Sequence, residues 1–371
     1  MNQPHARMLY GVQFLRFIAA MMVLIAQATL MVGDQLAHSG GGHWGMGRAG
    51  VDIFFVISGF VMAVSSEKLV DRSGGWCIFA VRRLIRLVPM YWLATLAMLL
   101  VSIALPSAGS HALPDFGYVA ASLLFLPGHD ADGQLQPLLA AGWTLNLQMF
   151  FYGTFALSLL LRQPALRFCG LAFAALAALS LVRVPNGSAL LFYQDPLLIE
   201  FAFGMLVARV WRSGLGVRPW LAATLVTTGF LLLQQLEPIA FSQAYALSPR
   251  FLAWGLPAMM IVLGTVFLEP ALSPHLKATA RRLGDASYAI YLLHGLLISL
   301  IVASMARLGL IWPTTAVAVS MAAAMIAASY IFRRIEAPLT RSLRGWLTPA
   351  PPMDPIGEDR IVQRRKYLHV D

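Results

Sequence analysis

A chain of 371 residues that is 58% hydrophobic and only 12% charged is excluded from the soluble class, where roughly a quarter of residues carry charge. No soluble core of this length hides so much apolar side chain, so the bilayer must be the solvent. The net charge of +10 does not point to nucleic acid, because the basic residues lie between apolar runs and in the C-terminal tail, where lipid headgroups and topology account for them.

A membrane span needs about 20 apolar residues, and on that criterion ten are expected, near 12–33, 50–66, 88–105, 146–161, 166–182, 193–211, 219–234, 251–268, 287–304 and 314–332. The first is too long for the apolar segment of a cleavable signal peptide and lacks a small-residue cleavage site after it. Residues 118–127 are apolar but too short to span, which predicts an interfacial or re-entrant piece. No soluble domain, repeat or low-complexity block interrupts the chain. The fold class is therefore an all-α polytopic bundle over residues 1–346. Residues 347–371, with Pro349, Pro351, Pro352 and Pro355 before Arg364-Arg365-Lys366, read as a disordered cytoplasmic tail. Cys77 and Cys169 lack metal-ligand spacing and are not expected to pair.

Orientation follows from the basic residues. With the N-terminus inside, the cytoplasmic side receives Arg7, the Lys68–Arg86 loop, Arg162, Arg167, Arg209 to Arg218, Lys277 to Arg282 and everything from Arg333 onward. Outside fall Arg48, Arg183, Arg250 and Arg307, and the outer loop 106–142 has no Lys or Arg. Both termini are thus expected in the cytoplasm.

Depth then places the polar side chains. The first span runs outward, so Arg16 lies near the inner face and Gln27 near the outer one. Asp52 opens the inward-running second span, and Asn146 and Gln148 open the fourth, so these groups are expected to converge on the extracytoplasmic side. A lone carboxylate in hydrocarbon needs a partner, a wet cavity or a task; the alternative for the amides is hydrogen-bonded glue between helices. Across the membrane, Arg82, Arg83 and Arg86 precede Pro89-Met90-Tyr91-Trp92. Arg82 and Arg86 share a helical face, and guanidinium groups pair bidentately with phosphate; the alternative is an anchor for lipid headgroups. Glu200 reads as a buried structural acid paired with an arginine, and His294 as a packing histidine in the ninth span. His38 and His43 read as solvated loop residues. Trp143 and Tyr152 read as interfacial anchors, Trp143 with a face on which a sugar stacks.

Five segments carry a resemblance. They are Leu15-Arg16-Phe17-Ile18-Ala19-Ala20; Gly50-Val51-Asp52-Ile53-Phe54-Phe55 with the arginine stretch; Gly142-Trp143-Thr144-Leu145-Asn146 with Met149-Phe150-Phe151-Tyr152; Ser287-Tyr288-Ala289-Ile290-Tyr291-Leu292-Leu293-His294; and Ile335-Glu336-Ala337-Pro338. In this order the chain resembles the membrane-bound acyltransferase family 3, in its exopolysaccharide O-acetyltransferase branch. The resemblance implies acetyl-CoA as donor, no metal, and a polysaccharide or lipid-linked oligosaccharide as acceptor, in a bacterial inner membrane. It implies donor binding by Arg16, Arg82, Arg83, Arg86 and Tyr91, and acceptor or supporting roles for Trp143, Asn146, Tyr152 and His294.

Two departures stand out. The family's histidine, the base, falls on Gln27, and its glutamate in the fourth span falls on Gln148. Transfer to a hydroxyl needs a proton acceptor, and an amide is not one. With Asp52, these positions make up the expected catalytic set, and the chain is expected to transfer slowly unless another group serves. The rivals are an inactive paralogue that binds acyl-CoA or glycan in a polysaccharide-assembly complex, and a small-molecule transporter, for which no internal symmetry appears.

Overall fold

The computed structural model describes residues 9–34, 44–104, 114–130, 133, 135–181, 189–242, 248–310 and 312–347. Fifteen helices occur among them: α1 Tyr10–Val32, α2 Gly50–Ser65, α3 Gly75–Ala104, α4 Phe116–Leu123, α5 Gly142–Leu160, α6 Ala165–Leu179, α7 Ala189–Tyr193, α8 Leu198–Arg212, α9 Pro219–Gln235, α10 Glu237–Ala240, α11 Arg250–Ala253, α12 Gly255–Leu268, α13 Pro274–Arg307, α14 Pro313–Ile331 and α15 Ala337–Leu347. A π-helical turn, Phe332–Glu336, joins the last two. Extended pairing among the described residues is limited to one bridge, His129 with Leu135.

Among the described residues, seven helical stretches are long and apolar enough to cross a membrane: those containing α1, α2, α3, α8, α12, α13 and α14. The other three expected spans are also helices, α5 with 19 residues, α6 with 15 and α9 with 17. The protein is a multi-pass all-α membrane protein. α4 has 8 residues, about 12 Å of helix, too short to cross. It hangs from α3 through Tyr91 Oη, which donates to the Ser122 carbonyl at 2.9 Å, and Trp92 Nε1, which donates to the Leu123 carbonyl at 2.8 Å. His38, His43, and the tail beyond Leu347 lie outside the described residues.

Polar contacts sort the helix ends into two layers. At one end, Arg250 reaches Asp52 at the start of α2, and the Trp44 amide bonds Thr29 near the end of α1. At the other, Arg212 donates to the Ala63 carbonyl at 2.7 Å and pairs with Glu67 at 3.4 Å. There too, Glu269 accepts from the Tyr10 and Gly11 amides at 3.0 and 2.7 Å. That carboxylate supplies the charge that the α1 N-terminus lacks on its own first turn.

The close pairings depend on small residues, as in other membrane bundles. α2 crosses α8 at Gly59 and Gly204; a Cβ at the first would overlap the Phe201 carbonyl oxygen, and at the second the Val56 carbonyl oxygen. α1 meets α13 at Gly284, whose Cβ would come 2.5 Å from the Gln13 carbonyl oxygen.

Two helices run longer than expected. α3 begins at Gly75, so the three arginines lie within its first turns rather than in a loop. Gly74 turns the chain there with φ +71°, and the apolar Trp76 to Val81 segment continues as helix. α13 has 34 residues, about 51 Å of helix against a hydrocarbon core of about 30 Å. Its first turns, capped by Ser273, hold Lys277, Arg281, Arg282 and Asp285 outside the apolar span.

Candidate functional site

A cavity of about 260 Å³ opens between α1, α2, α3, α5 and α13. Helical periodicity determines which residues reach it. On α2 the wall includes the i, i+3, i+4, i+7 stripe Val51, Phe54, Phe55 and Ser58 and runs on to Ser65; on α5 it includes Thr144, Gln148 and Tyr152 at i, i+4 and i+8. α1 contributes Gln13 and Arg16, α3 Arg83 and Arg86, and α13 Tyr288 and Tyr291.

One end of the cavity is cationic. The Arg16 Nη1 donates to Gln13 Oε1 at 3.2 Å. Arg83 Nη2 donates to Ser65 Oγ at 2.6 Å and its guanidinium lies 5.5 Å from the Phe79 ring centroid. Arg86 shares its field with Arg16, Glu336 and Asp285. These arginines therefore lie at the layer formed by the start of α1 and the end of α2.

The other end is neutral and hydroxyl-lined. Thr144 Oγ1 donates to the Ala141 carbonyl at 2.9 Å, so the 2.6 Å bond between Thr144 and Tyr291 has the phenol as donor. That leaves the Tyr291 lone pairs for a donor in the cavity. The Tyr291 ring meets Phe54 edge-on at 5.4 Å. Gln148 is buried, and its Nε2 has no partner among the described residues. Gln148 belongs to the cavity wall, and a buried amide without a partner is a hydrogen-bond donor that a ligand carbonyl or hydroxyl would satisfy.

The expected convergence of Asp52, Gln27, Asn146 and Gln148 is corrected in one respect: Gln148 reaches the cavity and the other three do not. Asp52 lies on the α2 stripe of Val56 and Gly59 that faces α8. There it is 0% exposed and held bidentately by Arg250, Nε to Oδ1 at 3.1 Å and Nη2 to Oδ2 at 2.8 Å. Glu200 lies beside this pair and fills the space where Gly255 has no side chain. Asn146 is two residues from Gln148, hence about 200° round the helix; it is fully buried with neither amide atom partnered among the described residues. Gln27 continues the α1 stripe of Arg16, eleven residues and about 16 Å further along.

The remaining positions divide in the same way. Arg83 and Arg86, not Arg82 and Arg86, form the wall; Arg82 is exposed beside it. Tyr91 is buried, stacks on Phe125 at 4.4 Å and bonds α4, away from the cavity. Trp143 meets Phe55 edge-on at 6.5 Å. His294 is buried, with Nδ1 2.5 Å from the Tyr291 carbonyl oxygen and its ring 5.8 Å from the Tyr291 ring. The sequence reading missed Arg250, Tyr291 and Thr144 as contact-makers, although Tyr288 and Tyr291 stand at i and i+3 in a segment already singled out. Among the described residues no group of three His, Cys, Asp or Glu side chains is placed to hold a metal ion.

A family model described as an acyltransferase domain matches residues 9–334. The chain is similar to the exopolysaccharide production protein ExoZ of Rhizobium meliloti (strain 1021), with 35% identity over 308 residues, 82% of this chain and 93% of that protein. No solved structure matches.

Proposed function

Because this chain belongs to acyltransferase family 3, we propose that it passes an acetyl group from acetyl-CoA to a sugar hydroxyl of an exopolysaccharide or its lipid-linked precursor, in a bacterial inner membrane. The observation that carries the reading is the polarity of the cavity, with arginines 16, 83 and 86 at one end and Thr144, Gln148 and Tyr291 toward the other. The arginine end suits donor phosphates, since charge-assisted guanidinium–phosphate bonds are the strong ones. The neutral polar end suits a thioester and an incoming hydroxyl.

In the transfer, the hydroxyl oxygen bonds to the acyl carbon, the carbon–sulfur bond breaks, and the hydroxyl proton leaves with a base or with the departing thiolate. Tyr291, with its own proton committed to Thr144, accepts a hydrogen bond from the incoming hydroxyl and orients it. Gln148 donates to the acyl oxygen as charge develops there, the oxyanion-hole role.

One observation favours a second reading, binding with little turnover: among the described residues, no carboxylate or imidazole lines the cavity. The two readings separate in an acetyl-CoA hydrolysis and transfer assay on purified protein, with Arg86→Ala beside it. Acyl transfer that Arg86→Ala abolishes supports the enzyme; acyl-CoA binding without transfer supports the second reading; neither binding nor transfer removes both.

A further inference from the structure

The cavity is smaller than the roughly 300–1,000 Å³ that accommodates a drug-sized ligand, so at about 260 Å³ it has room for a slender acyl-pantetheine arm but not for the nucleotide as well. The nucleotide of any such donor must stay at the cationic mouth. What stands there is more than the arginines of α1 and α3.

The chain returns to the mouth at its C-terminal end. After α14 the helix widens into the π turn Phe332–Glu336, and Glu336 comes into the field of Arg86 and Arg16. The following α15 is strongly amphipathic, buries none of its residues fully, and packs on α3. It carries Arg344, which shares its field with Arg86 and Arg82, and Arg83 in turn feels Arg344. The guanidinium groups of Arg16, Arg82, Arg83, Arg86 and Arg344 and the carboxylates of Glu336 and Asp285 thus belong to one electrostatic neighbourhood at the mouth. With five guanidinium groups against two carboxylates, the mouth carries net positive charge, the sign that suits a polyanion.

The arginines also differ in depth. Arg16, Arg83 and Arg86 form part of the cavity wall, whereas Arg82 and Arg344 are exposed outside it. A donor threaded arm-first meets the wall arginines with the pyrophosphate that joins arm to nucleotide. The phosphate on the ribose lies further out.

We propose that Arg344 of α15, together with Arg82, binds the ribose 3′-phosphate of a coenzyme A donor and so makes the C-terminal helix a specificity element. This rests on the acyl-CoA reading above, and the test is chosen to tell the two apart. Coenzyme A and dephospho-coenzyme A, which lacks only the 3′-phosphate, are titrated by calorimetry against the full chain in nanodiscs. The proteins are the unaltered chain, Arg344→Ala, Arg344→Glu and Arg86→Ala. Arg344 is exposed and alanine is a strong helix former, so these α15 variants are expected to fold.

A lost charge-assisted hydrogen bond corresponds to about 10-fold or more in affinity. The unaltered chain should prefer coenzyme A over dephospho-coenzyme A by at least about that factor. Arg344→Ala should reduce the preference toward 1 while leaving dephospho-coenzyme A affinity unchanged, and Arg344→Glu should do so more strongly. Arg86→Ala should weaken both ligands together. An undiminished preference in Arg344→Ala overturns the proposal, as does equal weakening of both ligands by that variant. Equal binding of both ligands to the unaltered chain overturns it and leaves the donor reading standing; no binding of either removes both.

Discussion

Arg250→Ala should destabilise this protein more than any single change at the cavity wall. The substitution removes the cation from Asp52, which is 0% exposed and takes two bonds of 3.1 and 2.8 Å from that guanidinium. Breaking a buried pair by deleting one partner costs about 3–5 kcal/mol, because the other charge is left uncompensated. Glu200 and Asp195 add to the cost, since both lie in the same field. Loss of the guanidinium 5.2 Å from the Trp254 ring centroid adds roughly 0.5–2 kcal/mol. Asp52→Asn should cost less, because Arg250 keeps Glu200 as a neighbouring acid. The double variant should fall short of the sum by about 0.5–3 kcal/mol, as partners in one network do. The assay is reversible unfolding in bicelles, with acyl-CoA binding measured on each folded variant. Because Asp52 faces α8, Asp52→Asn should leave acyl-CoA affinity unchanged. Strict additivity, or an Arg250→Ala protein within about 0.5 kcal/mol of the parent, would refute the reasoning.

The glutamines make the boldest case. Gln148→Glu replaces the amide donor to the acyl oxygen with a carboxylate, so transfer should fall by about 10²–10³-fold, whereas Gln27→His, at a position off the cavity wall, should leave transfer unchanged; a gain of turnover in either variant would refute the role given to Gln148 or the placement of Gln27. Tyr291→Phe removes the donor to Thr144 and the hydroxyl facing the cavity, so kcat should fall about 10-fold or more with donor affinity unchanged; a selective loss of donor binding would argue against an acceptor-side role. Topology is checked with impermeant thiol reagents in a background lacking Cys77 and Cys169. A cysteine at Asp115 should label from outside and one at Arg72 or Lys277 should not, and outside labelling at Arg72 would invert the arrangement. Gly204→Leu forces a side chain into the Val56 backbone and should prevent α2 from seating on α8, read as loss of folded protein, whereas Gly153→Leu, with open space at its Cβ, should fold.

The apolar helices could be read from composition because an apolar run long enough to cross hydrocarbon has few other fates, and the expected alternation rests on where the basic residues stop. The polar positions were legible too: Arg16, Asp52, Arg83, Arg86 and Gln148 stand out from an apolar background. Their partners were not. Depth along a helix is set by residue number, but the direction a side chain faces depends on which neighbour packs against each stripe. Thus Asp52, at the same depth as Gln148, turns to α8 because Gly59 and Gly204 bring those backbones into contact, and there it finds Arg250 from a segment almost two hundred residues away. Asn146 and Gln148, two residues apart, end on different sides of α5 for the same geometric reason. The sequence determined a membrane bundle, its order of spans and its inventory of polar groups. Only the tertiary structure decided which of them share a cavity, because helix rotation is fixed by packing between distant segments rather than by local pattern.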